Sequence, residues 1–415
     1  MATIIGTDGH DTRSGTSGDD LIYLHGGNDT AWGQAGDDEI YGGAHRDTLY
    51  GGAGDDLLNG RGGNDVLRGG SGDDGMTGWA GNDRLLGGAG NDTLLGDNRF
   101  IEDGGVLTGS GPGGDDALYG GDGNDWLEGE GYYLSGDGIG GDDRIWAGSG
   151  DDFANGDAFE MSGNARGGDD WIRGESGNDG LAGDAEDVMY DEARGGDDWL
   201  SGDQGDDVLY GDGRWMVERT TGGQDILFGG DGNDRVYGEG YLLAEDARGG
   251  DDTLFGGAGN DQVRGDSVFG GIDIEISDRT HGGDDTLYGG AGDDYLVGDT
   301  EFGFRGGVDV LFGGAGQDDF MFDDAHTGLG EDSDRIGDFS RADGDRIGLW
   351  WMGSTPGQPL AFIGTAEFTG VDQVRYHASG TGTIVQGNLD GDLAADFEIR
   401  LDKVSYALIA SDFIL

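Results

Sequence analysis

The sequence predicts an all-β solenoid, and three observations carry that prediction. Residues Gly6 to Leu95 divide without remainder into ten consecutive nine-residue units: GTDGHDTRS, GTSGDDLIY, LHGGNDTAW, GQAGDDEIY, GGAHRDTLY, GGAGDDLLN, GRGGNDVLR, GGSGDDGMT, GWAGNDRLL and GGAGNDTLL. Position six is Asp in every unit, giving Asp11, Asp20, Asp29, Asp38, Asp47, Asp56, Asp65, Asp74, Asp83 and Asp92. Position eight is apolar in nine units (Ile22, Ala31, Ile40, Leu49, Leu58, Leu67, Met76, Leu85, Leu94), with Arg13 as the exception. A fixed period this short means that each unit can bury its apolar residue only against its neighbours, as in a solenoid. A disordered Gly/Asp linker has no need of an apolar residue at every ninth position.

Each part of the unit has its own physical reason. Glycines at positions one, two and four permit φ > 0, so the chain can turn tightly with its carbonyls directed inward. The three residues after the Asp are too few for a helix and alternate out, in, out, which describes a minimal strand. A carboxylate beside the carbonyls of a glycine turn offers hard oxygen ligands at a flexible radius. Such a shell suits Ca2+ better than Mg2+, which requires a small octahedron, or Zn2+, which prefers nitrogen and sulfur.

The pattern G-G-x-G-x-D-x-U-x is similar to that of the RTX (repeats-in-toxin) family. The resemblance implies a right-handed parallel β-roll with two units per turn. It also implies Ca2+ ions along both edges, held by the position-six Asp and the glycine carbonyls of neighbouring turns. On that basis residues 1–321 form the roll, uninterrupted through residue 95 and built of paired units from 96 to 321. The pairs start at Gly111, Gly138, Ala165, Ala193, Thr220, Ala247, Thr280 and Phe304. Their sixth positions are Asp116 and Asp125, Asp143 and Asp152, Asp170 and Asp179, Asp198 and Asp207, Asp225 and Asp234, Asp252 and Asp261, Asp285 and Asp294, Asp309 and Asp318. With the ten aspartates above, these are the expected Ca2+ ligands.

Inserts separate the pairs, at 96–110, 129–137, 156–164, 183–192, 211–219, 238–246, 265–279 and 298–303. All eight open with Gly and an acid (Asp97, Glu130, Asp157, Asp184, Asp212, Glu239, Asp266, Asp299), and most continue into apolar clusters such as Phe100-Ile101, Tyr132-Tyr133-Leu134, Val268-Phe269 and Phe302. Each insert follows an even-numbered unit, so all leave the roll at one edge and stack into a flank with an apolar ladder. Two readings of that ladder stand side by side. Either its side chains pack on one another and on outward aromatics of the adjoining strand (Trp146, Trp171, Trp199, Phe228, Phe255), or Tyr132, Tyr133, Phe159, Tyr190, Trp215 and Tyr241 present a binding surface.

The same edge gathers polar residues. The odd-numbered turns hold His10, His25, His45, Arg61, Trp79 and the later His281, while the even turns of the first ten units are plain, and several inserts are followed by Arg (Arg166, Arg194, Arg248, Arg305). His45 stands at position four, where the other nine units have Gly. From these residues two function classes follow. One is a calcium-dependent binding protein that engages an extracellular ligand, a polysaccharide or an aromatic compound, through the insert-bearing edge. The other is a lyase or hydrolase using His10, His25, His45, Tyr132 and Arg166, although no Ser-His-Asp order, zinc motif or paired catalytic carboxylate emerges from the Asp background.

Composition narrows the partners. The 415 residues include 97 Gly and 86 acidic against 23 basic residues, a formal charge of −63. Cations must neutralise that charge before the chain can compact, so folding is expected to depend on Ca2+. Nucleic acid and anionic membranes are poor partners for such a surface. Cys is absent, which removes disulfides and thiolate metal sites, and no stretch approaches the length of a membrane span.

From about Phe322 the density of Gly falls and Ile, Phe and Val rise. DRIGDFSRADGDRIGL (334–349), FIGTAEFTG (362–370) and the closing GNLDGDLAADFEIRLDKVSYALIASDFIL resemble the C-terminal domain of serralysin-type secreted metalloproteases, which implies a small β-rich cap over 322–415. No His-Glu-x-x-His occurs, so protease activity does not follow. The ending Asp412-Phe413-Ile414-Leu415 is similar to the tails of proteins exported by type I (ABC) secretion systems. Together with an opening, MATIIGTDGHDT, that lacks signal-peptide features, this makes an extracellular location the expectation. Asn388, Asp390 and Asp392 have the alternating spacing of a short calcium loop.

Overall fold

A computed structural model describes residues 1–97, 113–244, 246–266, 280–299, 306–322, 328–349, 352 and 359–415. Phe100, Ile101, Val268, Phe269, Phe302 and Arg305 lie outside these residues. The chain forms two compact units, one of Met1–Val208 with Asp212–Arg214, the other of Leu209–Gly211 with Trp215–Leu415. Both are built as parallel β-roll, and among the described residues the helical ones are confined to two short 3-10 turns, Gly330–Asp332 and Ala410–Asp412. Among the described residues no helix is long and apolar enough to cross a membrane.

In the first unit two parallel sheets face each other. One runs through Thr30–Ala35, Thr48–Ala53, Val66–Ser71 and Arg84–Ala89, and after the first insert through Ala117–Asp122, Arg144–Ser149, Trp171–Ser176 and Trp199–Gln204. The other contains Glu39–Ala44, Leu57–Gly62, Gly75–Ala80, Trp126–Glu128 and Phe153–Asn155. Partners in the uninterrupted stretch are 18 residues apart, as Thr48 and Val66 are, so two units make one turn.

The strands are longer than the three residues expected. Thr48–Ala53 takes three residues from one unit and three from the next, because the Gly-Gly-x that follows position nine continues the ladder, as in Gly52↔Gly70 and Ala53↔Ser71. Where an insert follows position nine in the first unit the chain leaves the sheet and the strand stops at three residues, as in Trp126–Glu128 and Phe153–Asn155, whereas Gln262–Asp266 and Tyr295–Asp299 in the second unit run on through the first two insert residues.

Position eight builds the core. Ile40, Leu49, Leu58, Leu67, Leu85, Leu118, Leu127, Ile145, Ile172 and Leu200 are all fully buried between the sheets. A Leu buried in this way contributes about 1.5–3 kcal/mol. Arg13, the exception, is half-buried and pairs with the buried Asp11 at 2.6 Å. The outward positions carry aromatic ladders, with ring centroids 4.4 Å apart for Tyr119–Trp146, 5.0 Å for Trp146–Trp171 and 5.0 Å for Trp171–Trp199. Stacking of this kind fixes register along the roll.

The inserts form a third parallel sheet, with Gly131–Leu134 on Ala158–Met161 and the latter on Ala185–Met189. Leu134, Met161 and Met189 are buried, while Tyr132 and Tyr133 remain exposed.

The second unit repeats the scheme with Ile226–Asp231, Thr253–Ala258, Thr286–Ala291 and Val310–Ala315 on one side and Arg235–Tyr237, Gln262–Asp266, Tyr295–Asp299 and Asp319–Met321 on the other. Phe228 and Phe255, set among the ladder's outward aromatics, stack at 4.7 Å. The ladders run on past residue 321, adding Arg335–Ile336 to one sheet and Arg346–Gly348, then Phe413–Ile414, to the other. An antiparallel meander of Gln373–Ser379, Gly382–Asn388 and Phe397–Leu401 joins through Phe397–Leu401, which pairs with Arg335–Ile336.

Candidate metal centres and the insert-bearing edge

The glycine turns place the position-six carboxylates. At positions two and four glycine serves its expected purpose, with φ of +125° at Gly52 and +121° at Gly54. Position one serves another. A Cβ on Gly42 would stand 2.5 Å from Asp47 Oδ2 and 2.9 Å from the Gly60 carbonyl oxygen, so glycine leaves space that a carboxylate and a turn carbonyl both face. The φ > 0 argument therefore fails at position one, where the requirement is close approach.

All the position-six aspartates are buried. From Asp29 to Asp92 one oxygen of each is committed to the fold, since Oδ1 accepts the amide of the Asp one turn earlier, as in Asp38 from Asp20 at 2.7 Å, Asp56 from Asp38 at 2.8 Å and Asp65 from Asp47 at 2.7 Å. The same bond runs across the inserts, from Asp92 to Asp125 and from Asp125 to Asp152, both at 2.7 Å. In the second unit it links Asp225 to Asp252 at 2.9 Å and Asp261 to Asp294 at 2.9 Å. The other oxygen is left over. Oδ2 of Asp29, Asp38, Asp47, Asp56, Asp65, Asp74, Asp83 and Asp92 is buried without a hydrogen-bond partner, and so is that of Asp116, Asp125, Asp143, Asp152, Asp170, Asp179, Asp285, Asp294 and Asp318. Asp11 and Asp20 differ, because Thr7 and Thr16 donate amide and hydroxyl to their Oδ2. These two cap the rows, and the bonded carboxyls are held below the ordinary Asp range, chiefly by the Thr7 amide at Asp11 and the Ala2 amide at Asp20.

An orphaned carboxylate oxygen costs free energy unless a cation meets it. Burial pushes Asp47, Asp65, Asp74 and Asp83 up to about 7 and Asp56 and Asp92 to about 6. Hard anionic oxygens beside turn carbonyls fit Ca2+. The rows also extend further than the repeats suggest, because Asp334 Oδ1 accepts the Asp309 amide at 3.0 Å and Asp345 Oδ1 accepts the Asp318 amide at 3.3 Å.

The acids that open the inserts belong to the same chemistry, which the sequence reading missed. Asp97 lies with Asp83 and Asp116, and Asp299 with Asp266 and Asp285, each trio having ligand oxygens within 4.8 Å. The signal was present as Gly-acid at the start of every insert.

The candidate binding and catalytic residues do not form one site. His25 and His45 line a groove of about 580 Å3 with Tyr23, Tyr41, Arg61 and Asp8. His25, His45 and Arg61 hold φ of +73°, +79° and +77°, conformations that strain any residue with a Cβ. Tyr23 and Tyr41 stack at 4.9 Å, and the Arg61 guanidinium lies 5.3 Å from the Tyr41 ring centre. His10 is engaged by its neighbour turn, donating Nδ1–H to the Asn28 carbonyl at 2.7 Å. Arg166 lines a different depression, of about 470 Å3, with Arg194, Asn164, Asp137, Glu192 and Ile139. Tyr132 sits on the insert sheet, stacked on Phe159 at 4.6 Å with Tyr133 edge-on. Tyr190 is half-buried and Trp215 exposed, and Tyr241 is half-buried, edge-on to Tyr237 at 6.2 Å. In the loop after Gly382–Asn388, Asp390 and Asp392 turn their Oδ1 atoms to the amides of Asp392 and Ala394.

Overlapping windows over residues 5–94, and then 110–131, 137–159, 164–187, 192–213, 219–240, 246–268, 279–301 and 305–324, match the RTX calcium-binding nonapeptide repeat, together more than half of the chain. Among solved structures, the AlgE6R3 subunit of the mannuronan C5-epimerase from Azotobacter vinelandii is 29% identical over 37% of this chain and 71% of that one, with a TM-score of 0.25. No curated protein matches the chain.

Proposed function

The chain belongs to the RTX calcium-binding nonapeptide repeat family, and from that premise we propose that it is a secreted protein that folds on Ca2+ outside the cell and binds a polysaccharide through its odd-numbered, insert-bearing edge. The groove of His25, His45, Arg61, Tyr23 and Tyr41 carries the ligand-binding part of this reading. Stacked tyrosines offer a sugar ring an apolar face, and the imidazoles and guanidinium offer donors to its hydroxyls. His25, His45 and Arg61 hold left-handed backbone at a cost of about 1–3 kcal/mol each, a strain that Gln34, Trp79, Glu175 and Asp203 share outside the groove, so the reading rests on the chemistry of the lining.

Replacing His25 or Arg61 by Gly restores the repeat pattern and removes the side chain. The test is calorimetric titration of the Ca2+-loaded chain with a panel of neutral and uronate-bearing polysaccharides. Binding by the wild type that H25G and R61G lose, with Ca2+-dependent folding intact, is the expected result; equal binding by all three overturns the groove. The convergence of two histidines and two tyrosines favours a second reading, a lyase or hydrolase working in the same groove. Shortened chains in the titrated polysaccharide would establish it. Export through the Asp412-Phe413-Ile414-Leu415 tail and a type I system completes the proposal.

A further inference from the structure

Two kinds of turn share the insert-bearing edge. In the uninterrupted repeats the position-four amide donates to a backbone carbonyl of the next turn, Gly27 to Ala44 at 3.2 Å and Gly63 to Ala80 at 2.9 Å. These glycines are left-handed, with φ of +129° and +138°. In the turns that follow an insert the same amide donates to the acid that opened that insert. Gly114 reaches Asp97 Oδ2 at 3.1 Å, Gly168 reaches Asp157 Oδ2 at 3.0 Å and Gly196 reaches Asp184 Oδ1 at 3.1 Å, while Gly141 donates to Glu130 Oε1. In the second unit Gly283 reaches Asp266 Oδ2 at 2.6 Å and Gly307 reaches Asp299 Oδ2 at 2.8 Å. Gly114, Gly141, Gly168 and Gly196 have left the left-handed region. A charged oxygen has taken over the amide that a neutral carbonyl accepts elsewhere.

That oxygen comes with more charge than the hydrogen bond requires. Glu130 and Asp157 are 9% and 0% exposed, and Asp143 and Asp170 beside them are 1% and 3% exposed. Each keeps an oxygen with no hydrogen-bond partner: Glu130 Oε2, Asp157 Oδ1, Asp143 Oδ2 and Asp170 Oδ2. Elsewhere on this edge Asp83, Asp97 and Asp116, and Asp266, Asp285 and Asp299, bring three carboxylate oxygens within 4.8 Å of one another. Charges of one sign that close, removed from water, repel strongly unless a cation or shared protons intervene.

We propose that the insert-bearing edge carries a second class of Ca2+ site, in which the acid opening each insert joins the position-six aspartates of adjacent turns and adds one carboxylate to what a plain turn provides. This rests on the calcium-binding character of the family. Ligand charge count tunes Ca2+ affinity, so the insert sites should fill about tenfold or more below the Ca2+ concentration that fills the plain turns. The inserts then act as clamps: their sheet is docked to the roll at the ions that bind first.

The experiment is equilibrium dialysis of the full chain against 45Ca2+ at neutral pH, with E130Q and D157N as insert variants and D56N as a plain-turn control. The expected wild-type isotherm has two classes. E130Q and D157N each remove about one ion from the tight class or weaken it about tenfold, whereas D56N alters only the weaker class. A wild-type isotherm with one class, or a tight class untouched by E130Q and D157N, overturns the proposal in favour of proton-sharing carboxyls. If an insert variant does not fold at saturating Ca2+, the wild-type isotherm alone decides. A wild type that binds no Ca2+ overturns the calcium reading itself, which is a distinguishable failure.

Discussion

Acid should substitute in part for calcium. Burial raises Asp47, Asp65, Asp74 and Asp83 from 3.8 to about 7, and Asp56 and Asp92 to about 6. In the metal-free roll these groups bind protons more tightly than in the unfolded chain, so stability is lost as pH rises from about 4 to about 7 and the full penalty applies above that window. A shift of about 3 units corresponds to ~4 kcal/mol, and allowing half for screening near the turn surface leaves ~2 kcal/mol per group. For the six aspartates the penalty is about 10 kcal/mol, as large as the stability of a whole domain. The metal-free chain should therefore be disordered at about pH 8 and regain strand signal as it is acidified toward about pH 4.5, while the Ca2+-loaded chain stays folded at neutral pH. Far-UV circular dichroism of chelated and calcium-loaded protein across this range is the assay. Full strand signal at about pH 8 after exhaustive chelation, or signal that falls on acidification, refutes the reasoning.

Three further outcomes follow from single contacts. Leu58→Ala opens a cavity in a fully buried row, costs ~3 kcal/mol and should move the Ca2+ midpoint of folding, read by circular dichroism, to higher concentration. Arg341→Ala removes the partner of Asp412, which is 1% exposed and accepts Arg341 Nε at 2.6 Å; a loss of ~2–3 kcal/mol, seen in thermal melts of the Ca2+ form, should accompany release of Phe413–Ile414 from its sheet. Deleting Asp412 to Leu415 should leave the chain inside cells carrying a type I exporter, and secretion at the wild-type level, measured in the medium, would show the tail to be dispensable.

Much of this fold is legible in the sequence because one short rule is repeated. Leu58 is buried for the reason Leu49 and Leu67 are, and the Asp rows follow from the same period. What escaped was interaction between units. Thr48–Ala53 runs to six residues because Gly-Gly-x pairs with its copy 18 residues away, and strand propensity does not signal a glycine-rich strand. Gly42 looks like any other turn glycine, yet it is required by the Asp47 carboxylate. Glu130 and Asp157 disappeared into a background of 86 acids, although their place after Gly marked them. His25, His45 and Arg61 could be assigned to one edge by counting, but Tyr23 and Tyr41, which complete the groove, come from even-numbered units. Tyr132 and Arg166 were grouped with the histidines by chemistry alone, and the stacking of the inserts sets them elsewhere.

Anomalous diffraction from crystals grown in Ca2+ tests the central claim most directly. Two rows of calcium peaks should follow the Oδ2 atoms of the position-six aspartates, with the peaks of the insert-bearing edge also touching Glu130, Asp157 and Asp299. Ordered density for the roll with no peak beside those oxygens would contradict the account.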